Sequence, residues 1–186
     1  MTGLPVVLVL ASGRGERFRA SGGQVHKLQA LLGGRPVIER TLEAVRASGL
    51  PWHVEDAGHP GMGDSIAAAV RATRGAGGWL VLPADLPLVR PDTLRRVADA
   101  LADGAGAAQP VHGGERGHPV GFGAACGPAL AALAGAQGAA PVLRAQREAG
   151  ALVEVPVDDE GIVTDIDTVA DLARAEALWR ARGAGG

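Results

Sequence analysis

The apolar positions of this chain fall into two rhythms. Unbroken runs such as "VVLVL" at 6–10 and "WLVL" at 79–82 give way at once to glycine, proline and charge. Runs of this length, bounded in this way, predict strands of a parallel sheet covered on both faces. Between them the spacing changes. In "RPVIERTLEAVRASG", Ile38, Leu42 and Val45 recur at i, i+4 and i+7 behind a proline, and the pattern stops before Gly49, which predicts an amphipathic helix. A second helix is expected over Ser65 to Thr73, with Asp64 or Ser65 as its cap. A third begins at Pro91 and carries Leu94, Val97, Ala98 and Leu101 on one face. "WHVED" reads as a single edge strand, because too few residues separate the first two helices for a full crossover between parallel strands.

The second half is less regular. "AAQPV" and "HPVGFG" read as short strands around the loop "HGGERG", and "CGPALAALAG" and "APVLRAQREAG" as short helices. "ALVEVPV" is a strand, "DDEGIVTDIDT" a turn with another short strand, and Val169 to Arg182 a closing helix with Leu172, Ala175 and Trp179 in register. Alternating strands and helices predict a three-layer αβα sandwich, α/β in class, around a Rossmann-like, mostly parallel sheet. Residues 1–182 are expected to form one domain and 183–186 a disordered tail.

Composition narrows the picture. Apolar residues are 47% and aromatics 3% of the 186 residues, so the core must be built from Ala, Val and Leu. A net charge of -2 gives no global field toward nucleic acid or an anionic membrane, and too few aromatics remain to stack bases. Neither partner is expected. The single cysteine, Cys126, excludes an internal disulfide or a cysteine metal cluster and is expected to be a small buried apolar side chain. The first residues carry no basic n-region and no run long enough to span a bilayer. A cytoplasmic setting is the expectation.

The candidate chemistry lies where the first strand ends. "ASGRGERFR" sets two glycines among three arginines at a strand's carboxyl end, where open α/β sheets bind ligands, and backbone N–H groups there suit an anion. A Walker A loop counted from Gly13 would need its second glycine, followed by Lys, directly after Arg17, and Phe18 stands there instead. A dinucleotide fingerprint would need a third glycine where Phe18 stands. What survives is G-x-G-x-R, with Lys27 ten residues later beyond a flexible "ASGGQVH" that is expected to act as a lid closing over ligand.

With these residues in view, "LASGRGERF…HKLQALLGGRPVIERTLEAV" resembles the opening of the MobA-like nucleotidyltransferases, and molybdenum cofactor cytidylyltransferases in particular. Four further elements come in the family's order: "GMGDSIAAAV", "LPADLPLV", "GERGHPVGFG" and "TDIDTVADL". The resemblance implies a nucleotidyltransferase of the nucleotide-diphospho-sugar transferase type, with Mg²⁺ as cofactor and a nucleoside triphosphate as substrate. CTP is favoured over GTP. It implies a molybdopterin-type or other phosphorylated small molecule as acceptor, and a molybdenum enzyme as a further partner. Sugar phosphate or methylerythritol phosphate acceptors, or a binding protein without turnover, are the alternatives.

By the same resemblance, Arg17 and Lys27 act on the phosphates. Leu10, Ala11, Ser12, Gly13, Arg14 and Gly15 line the nucleotide, Arg14 being equally readable as a solvated charge. Gly61, Gly63 and Ser65 face base and ribose. Asp85 and Asp167 hold the metal, with Asp165 in reserve; Asp167 is also a good start for the last helix. Arg116 and His118 meet the acceptor phosphate or lie in a solvated loop. The spacing of His112, Glu115 and His118 matches no compact zinc site. His26, His53 and His59 are expected at the surface.

Overall fold

The computed structural model describes residues 3–184. In chain order the elements are β1 (Val6–Leu10), α1 (Glu16–Ala20), β2 (Leu31–Leu32), β3 (Arg35–Pro36), α2 (Val37–Ser48), β4 (Trp52–Glu55) and α3 (Met62–Ala72). Next come β5 (Gly78–Pro83), α4 (Pro91–Ala102), β6 (Ala107–His112), β7 (Glu115–Arg116), β8 (Val120–Gly123), α5 (Gly127–Ala131), α6 (Ala140–Glu148), β9 (Leu152–Pro156) and α7 (Val169–Ala184). Seven strands make one sheet in the order β4-β1-β5-β8-β6-β7, with β9 beside β6. β4, β1 and β5 are mutually parallel, as are β6 and β9, while β8 and β7 run against their neighbours. The mostly parallel α/β sheet expected from the sequence is present.

Because side chains alternate across a strand, the two central strands feed two cores. Val7, Val9, Leu80 and Leu82 pack with α2, α4 and α7 through Leu42, Val45, Leu94, Val97 and Ala175. Leu8, Trp79 and Val81 pack on the other face with α3, α5 and α6 through Ile66, Leu130 and Val142. Cys126 is buried in that second core. Helix α2 ends where expected: Gly49 adopts φ 75°, the left-handed conformation glycine accepts without strain. Between α2 and α3 the only strand is β4, which borders β1 alone. The shortened strand-helix unit is therefore a property of the fold.

Four local expectations need correction. Helix α3 starts at Met62, not Ser65, and neither Asp64 nor Ser65 caps it; Gly61 precedes it, with no side-chain cap bond. The Asp64 carboxylate instead accepts from the backbone N–H of Gly135, and the Ser65 hydroxyl donates back to the Gly61 carbonyl. The strand expected within "DDEGIVTDIDT" is a 3₁₀ turn, Glu160–Val163, because an apolar stretch that short carries no period. The loop "HGGERG" contains β7, which pairs back on β6. α7 runs through Ala184, so the expected tail overlaps its last turn, and residues 185 and 186 lie outside the described residues. Among the described residues no helix is long and apolar enough to cross a membrane.

What positions the site is the pairing of β1 with β5, Leu10 opposite Pro83. Both strands thus end together, and the loops after them share one crevice. The turn after β5 is anchored twice at Ala84: its N–H donates to Leu10, and its carbonyl accepts from the buried Thr41 hydroxyl of α2 at 2.8 Å. A second anchor is Asp159, 1% exposed. Its carboxylate accepts from the Arg90 N–H (2.8 Å), the Thr93 hydroxyl (2.7 Å), the Gly161 N–H (3.0 Å) and the Arg182 guanidinium (3.3 Å). It caps α4 from a distance and fixes the segment leading to Asp167.

Candidate active site

A cavity of about 930 Å³ opens at the carboxyl ends of β1 and β5. Leu10, Ser12, Gly13, Arg14 and Gly15 line it from the first loop, and Asp85 from the second. Gly15 sits at φ 65° as the residue preceding α1, where any larger side chain would be strained. A Cβ on Gly13, by contrast, would meet no atom within 4 Å, so that glycine leaves open space over the loop. The segment after it is no free flap. Phe18 is buried in the core, Gly23 packs against its ring, and the Ser21 hydroxyl accepts from the N–H of Val169 at 2.9 Å.

Four charged groups from four parts of the chain meet here. Lys27 Nζ donates to Asp85 Oδ2 at 2.6 Å and to Asp167 Oδ1 at 3.0 Å, and Arg17 lies 2.8 Å from Asp167 Oδ2. Lys27 and Asp85 are each 13% exposed at the side chain and Asp167 20%, whereas Arg17 stands in solvent. Burial would lower the Lys27 pKa, but the charges and hydrogen bonds of Asp85 and Asp167 outweigh it and hold the ammonium above its ordinary value. The competing role of Asp167 as a helix start falls elsewhere. Thr168 and Asp171 form a reciprocal cap at α7, Asp171 accepting from the N–H of Thr168 at 2.8 Å and donating its own N–H to the Thr168 hydroxyl at 3.2 Å. The Asp167 side chain is thereby left to Lys27 and Arg17. Burial opposes ionisation of Asp171, yet these hydrogen bonds prevail and its pKa lies below the usual value.

Where α3 begins, Gly61 and Ser65 line the cavity. Ala11 and Gly63 do not. Gly63 packs against the backbone of Ala134 and Gly135, which a Cβ would meet at 2.8 Å, and Ala11 donates its N–H to Glu55. The structure therefore does not bring these two expected residues to the cavity lining. Ser12 reaches the cavity, but its hydroxyl donates to the Glu55 carbonyl at 3.2 Å. His53 and His59 are half-buried instead of lying at the surface: both flank the buried Glu55 carboxylate, His59 at 3.2 Å and His53 at 3.6 Å. His59 also lines the cavity.

Arg116, His118 and Asp165 also line the cavity. The Arg116 guanidinium is held by Glu154 at 2.6 and 2.7 Å, so it meets a ligand only by leaving that carboxylate. Burial pushes the His118 pKa down, partly offset by Asp85. Asp165 is pushed up, by desolvation first and by Asp85, Asp167 and Asp171 as like charges.

A divalent cation can be tested against this donor set. Asp85 Oδ1 is buried without a hydrogen-bond partner, while its other oxygen and both oxygens of Asp167 carry cationic neighbours. Oxygen-only donors of this number, completed by phosphates and water, suit Mg²⁺ or Mn²⁺. The residues fit such an ion.

The model of the MobA-like NTP transferase domain matches residues 44–150, more than half of the chain. The chain belongs to that family. The match holds Asp85 and the Gly61–Ser65 turn; the glycine loop, Lys27 and Asp167 fall outside it. Among curated proteins the chain is similar to 2-C-methyl-D-erythritol 4-phosphate cytidylyltransferase of Frankia casuarinae, 33% identical across 56% of this chain and 46% of that one. The chain spans less than half the length of the curated relatives it matches. The fold is similar to Rv0371c of Mycobacterium tuberculosis, 22% identical at TM-score 0.78 over 95% and 99% of the two chains. A manganese complex of that protein superposes at 21% identity and TM-score 0.71, over 95% and 100%. The molybdopterin-guanine dinucleotide biosynthesis protein A of Archaeoglobus fulgidus superposes at TM-score 0.64, 22% identical, over 94% and 98%.

Proposed function

We propose that this member of the MobA-like family transfers CMP, or GMP, from a nucleoside triphosphate to a phosphorylated small molecule, a molybdopterin-type cofactor first of all, with Mg²⁺ and in the cytoplasm. The convergence of Arg17, Lys27, Asp85 and Asp167 beside an open glycine loop carries the reading. No protein nucleophile is needed. An acceptor phosphate oxygen forms its bond to the α-phosphorus, the bond from that phosphorus to the β-phosphate bridging oxygen breaks, and pyrophosphate leaves with the electron pair. The backbone of Gly13–Gly15 and the Arg17 guanidinium bind the triphosphate, and the Lys27 ammonium offsets charge growing on the α-phosphate. Asp85 and Asp167 would hold the divalent ion, which when bound supplies charge neutralisation of the phosphates. His118, whose buried ring lines the same cavity, orients the acceptor, with Arg116 adding charge once released from Glu154.

A pyrophosphate-release screen with four nucleoside triphosphates, with and without molybdopterin cofactor, tests this. Release with CTP or GTP that depends on the cofactor supports it. Release that depends instead on methylerythritol phosphate supports the second reading, which the similarity to the Frankia cytidylyltransferase favours. Nucleotide binding with no release for any acceptor would mean a binding protein. Asp85→Ala should abolish release while the protein stays folded.

A further inference from the structure

His26 takes no part in the chemistry proposed above, yet both of its ring nitrogens are engaged at the centre of the phosphate loop. Nε2 lies 2.8 Å from the carbonyl oxygen of Gly13, and Nδ1 accepts from the backbone N–H of Leu28 at 3.2 Å. A carbonyl can only accept and a backbone N–H can only donate, so one form of the ring satisfies both: the neutral imidazole with its hydrogen on Nε2. The ring also packs on the loop. A Cβ on Gly15 would lie 3.3 Å from His26 Nε2 and 3.5 Å from Lys27 Cγ. Through the bond to Leu28, His26 caps the 3₁₀ turn Lys27–Gln29 that presents Lys27; through the bond to Gly13 it holds the glycine loop.

We propose that His26 is a positioning residue, fixing the Gly13–Gly15 loop to the turn that carries Lys27 so that phosphate-binding amides and ammonium keep one geometry. It acts through those groups and touches no substrate. The consequence for the triphosphate rests on the function proposed above; the latch itself does not.

Two substitutions separate its halves. In His26→Asn the side-chain oxygen stands where Nδ1 does and still caps Leu28, but the side chain is too short to reach Gly13. In His26→Gln the amide N–H reaches Gly13 from about the Nε2 position, and the cap is lost. Trypsin cleavage after Arg14, followed by mass spectrometry, reports release of the loop. His26→Asn should be cut on the order of tenfold faster than wild type, as losing one hydrogen bond implies; His26→Gln should be cut at close to the wild-type rate, although each variant loses one hydrogen bond and the urea midpoints of both should fall by similar amounts. In the pyrophosphate assay His26→Asn should raise KM for the nucleotide by a similar factor, restored by His26→Gln. Wild-type cleavage in His26→Asn, or no difference in cleavage between the two variants, overturns the latch. Nitrogen-15 spectra of the wild-type ring at neutral pH give a check free of substitution: Nε2–H is expected, and Nδ1–H overturns the proposal. If wild type releases no pyrophosphate with any nucleotide, the function falls while cleavage and ring spectra still decide the latch.

Discussion

Replacing Lys27 by methionine removes one charge and little volume. The ammonium is the cation between Asp85 and Asp167, at 2.6 and 3.0 Å. Without it, two largely buried carboxylates face each other, repelling by about 3 kcal/mol at the separation the lysine spans and an effective dielectric near 20. Truncating one partner of a fully buried pair costs about 3–5 kcal/mol; with the residual exposure here, the expected loss at pH 7 is about 2–3 kcal/mol. For a chain of this size that lowers Tm by about 4–12 °C, read by calorimetry. The pH dependence has a definite sign. The folded Lys27 pKa lies above 10.5, so the wild-type advantage is full below that value and is lost as pH rises through the folded pKa. A divalent ion refills the gap, so Mn²⁺ or Mg²⁺ should raise the Tm of Lys27→Met more than that of wild type, whose own lysine competes for the same oxygens. Turnover should fall on the order of 10²-fold or more. An unchanged Tm at pH 7 with no metal response would refute the assignment of these carboxylates to one cation site.

Asp159→Ala should cost about 2–4 kcal/mol by urea unfolding, because a buried acceptor of four donors disappears. Asp171→Ala should cost about 1 kcal/mol as a lost cap. Since the wild-type pKa of Asp171 lies below 3.8, its contribution is full above that value and lost as pH falls through the folded one, and the variant should show a shallower acid limb in pH-dependent unfolding. His118 is held below 6.5, so the unfolded chain takes up the proton first and wild-type stability declines as pH drops below about 6.5. In His118→Asn that decline should flatten; a parallel decline would place the titrating group elsewhere.

Much of the scaffold was legible because its signals are local. Val6–Leu10 and Trp79–Leu82 announce central strands, Ile38, Leu42 and Val45 a helix face, and the prolines around Asp85 the end of a ladder. The short link between Ser48 and Met62 left room for one strand, and β4 is that strand. The charged site was readable as a set of motifs, but the pairing of Lys27 with two aspartates 58 and 140 positions away is a tertiary fact. Asp159 escaped for the same reason: its partners at Arg90 and Thr93 are 69 and 66 residues distant, and nothing around it marks a cap. The polar Thr41 sits on the buried face of α2 because its hydroxyl donates to the Ala84 carbonyl, a partner 43 positions away that nothing in the sequence marks. The packing of Gly63 against Ala134 and Gly135 was not legible, because a glycine that admits a ligand and one that admits a neighbouring loop read alike. β2 and β3, two residues each, are too short for any period, and the apolar pair in "GIVTD" serves a 3₁₀ turn as readily as a strand.

The most direct measurement is a crystal structure with Mn²⁺ and a non-hydrolysable α,β-methylene analogue of the nucleotide that supports turnover. An anomalous peak is expected within bonding distance of Asp85, with Asp167 beside it, and a triphosphate lying along Gly13–Gly15 within reach of Arg17 and Lys27. A metal bound away from Asp85, or a nucleotide seated outside the cavity between β1 and β5, would contradict the assignment.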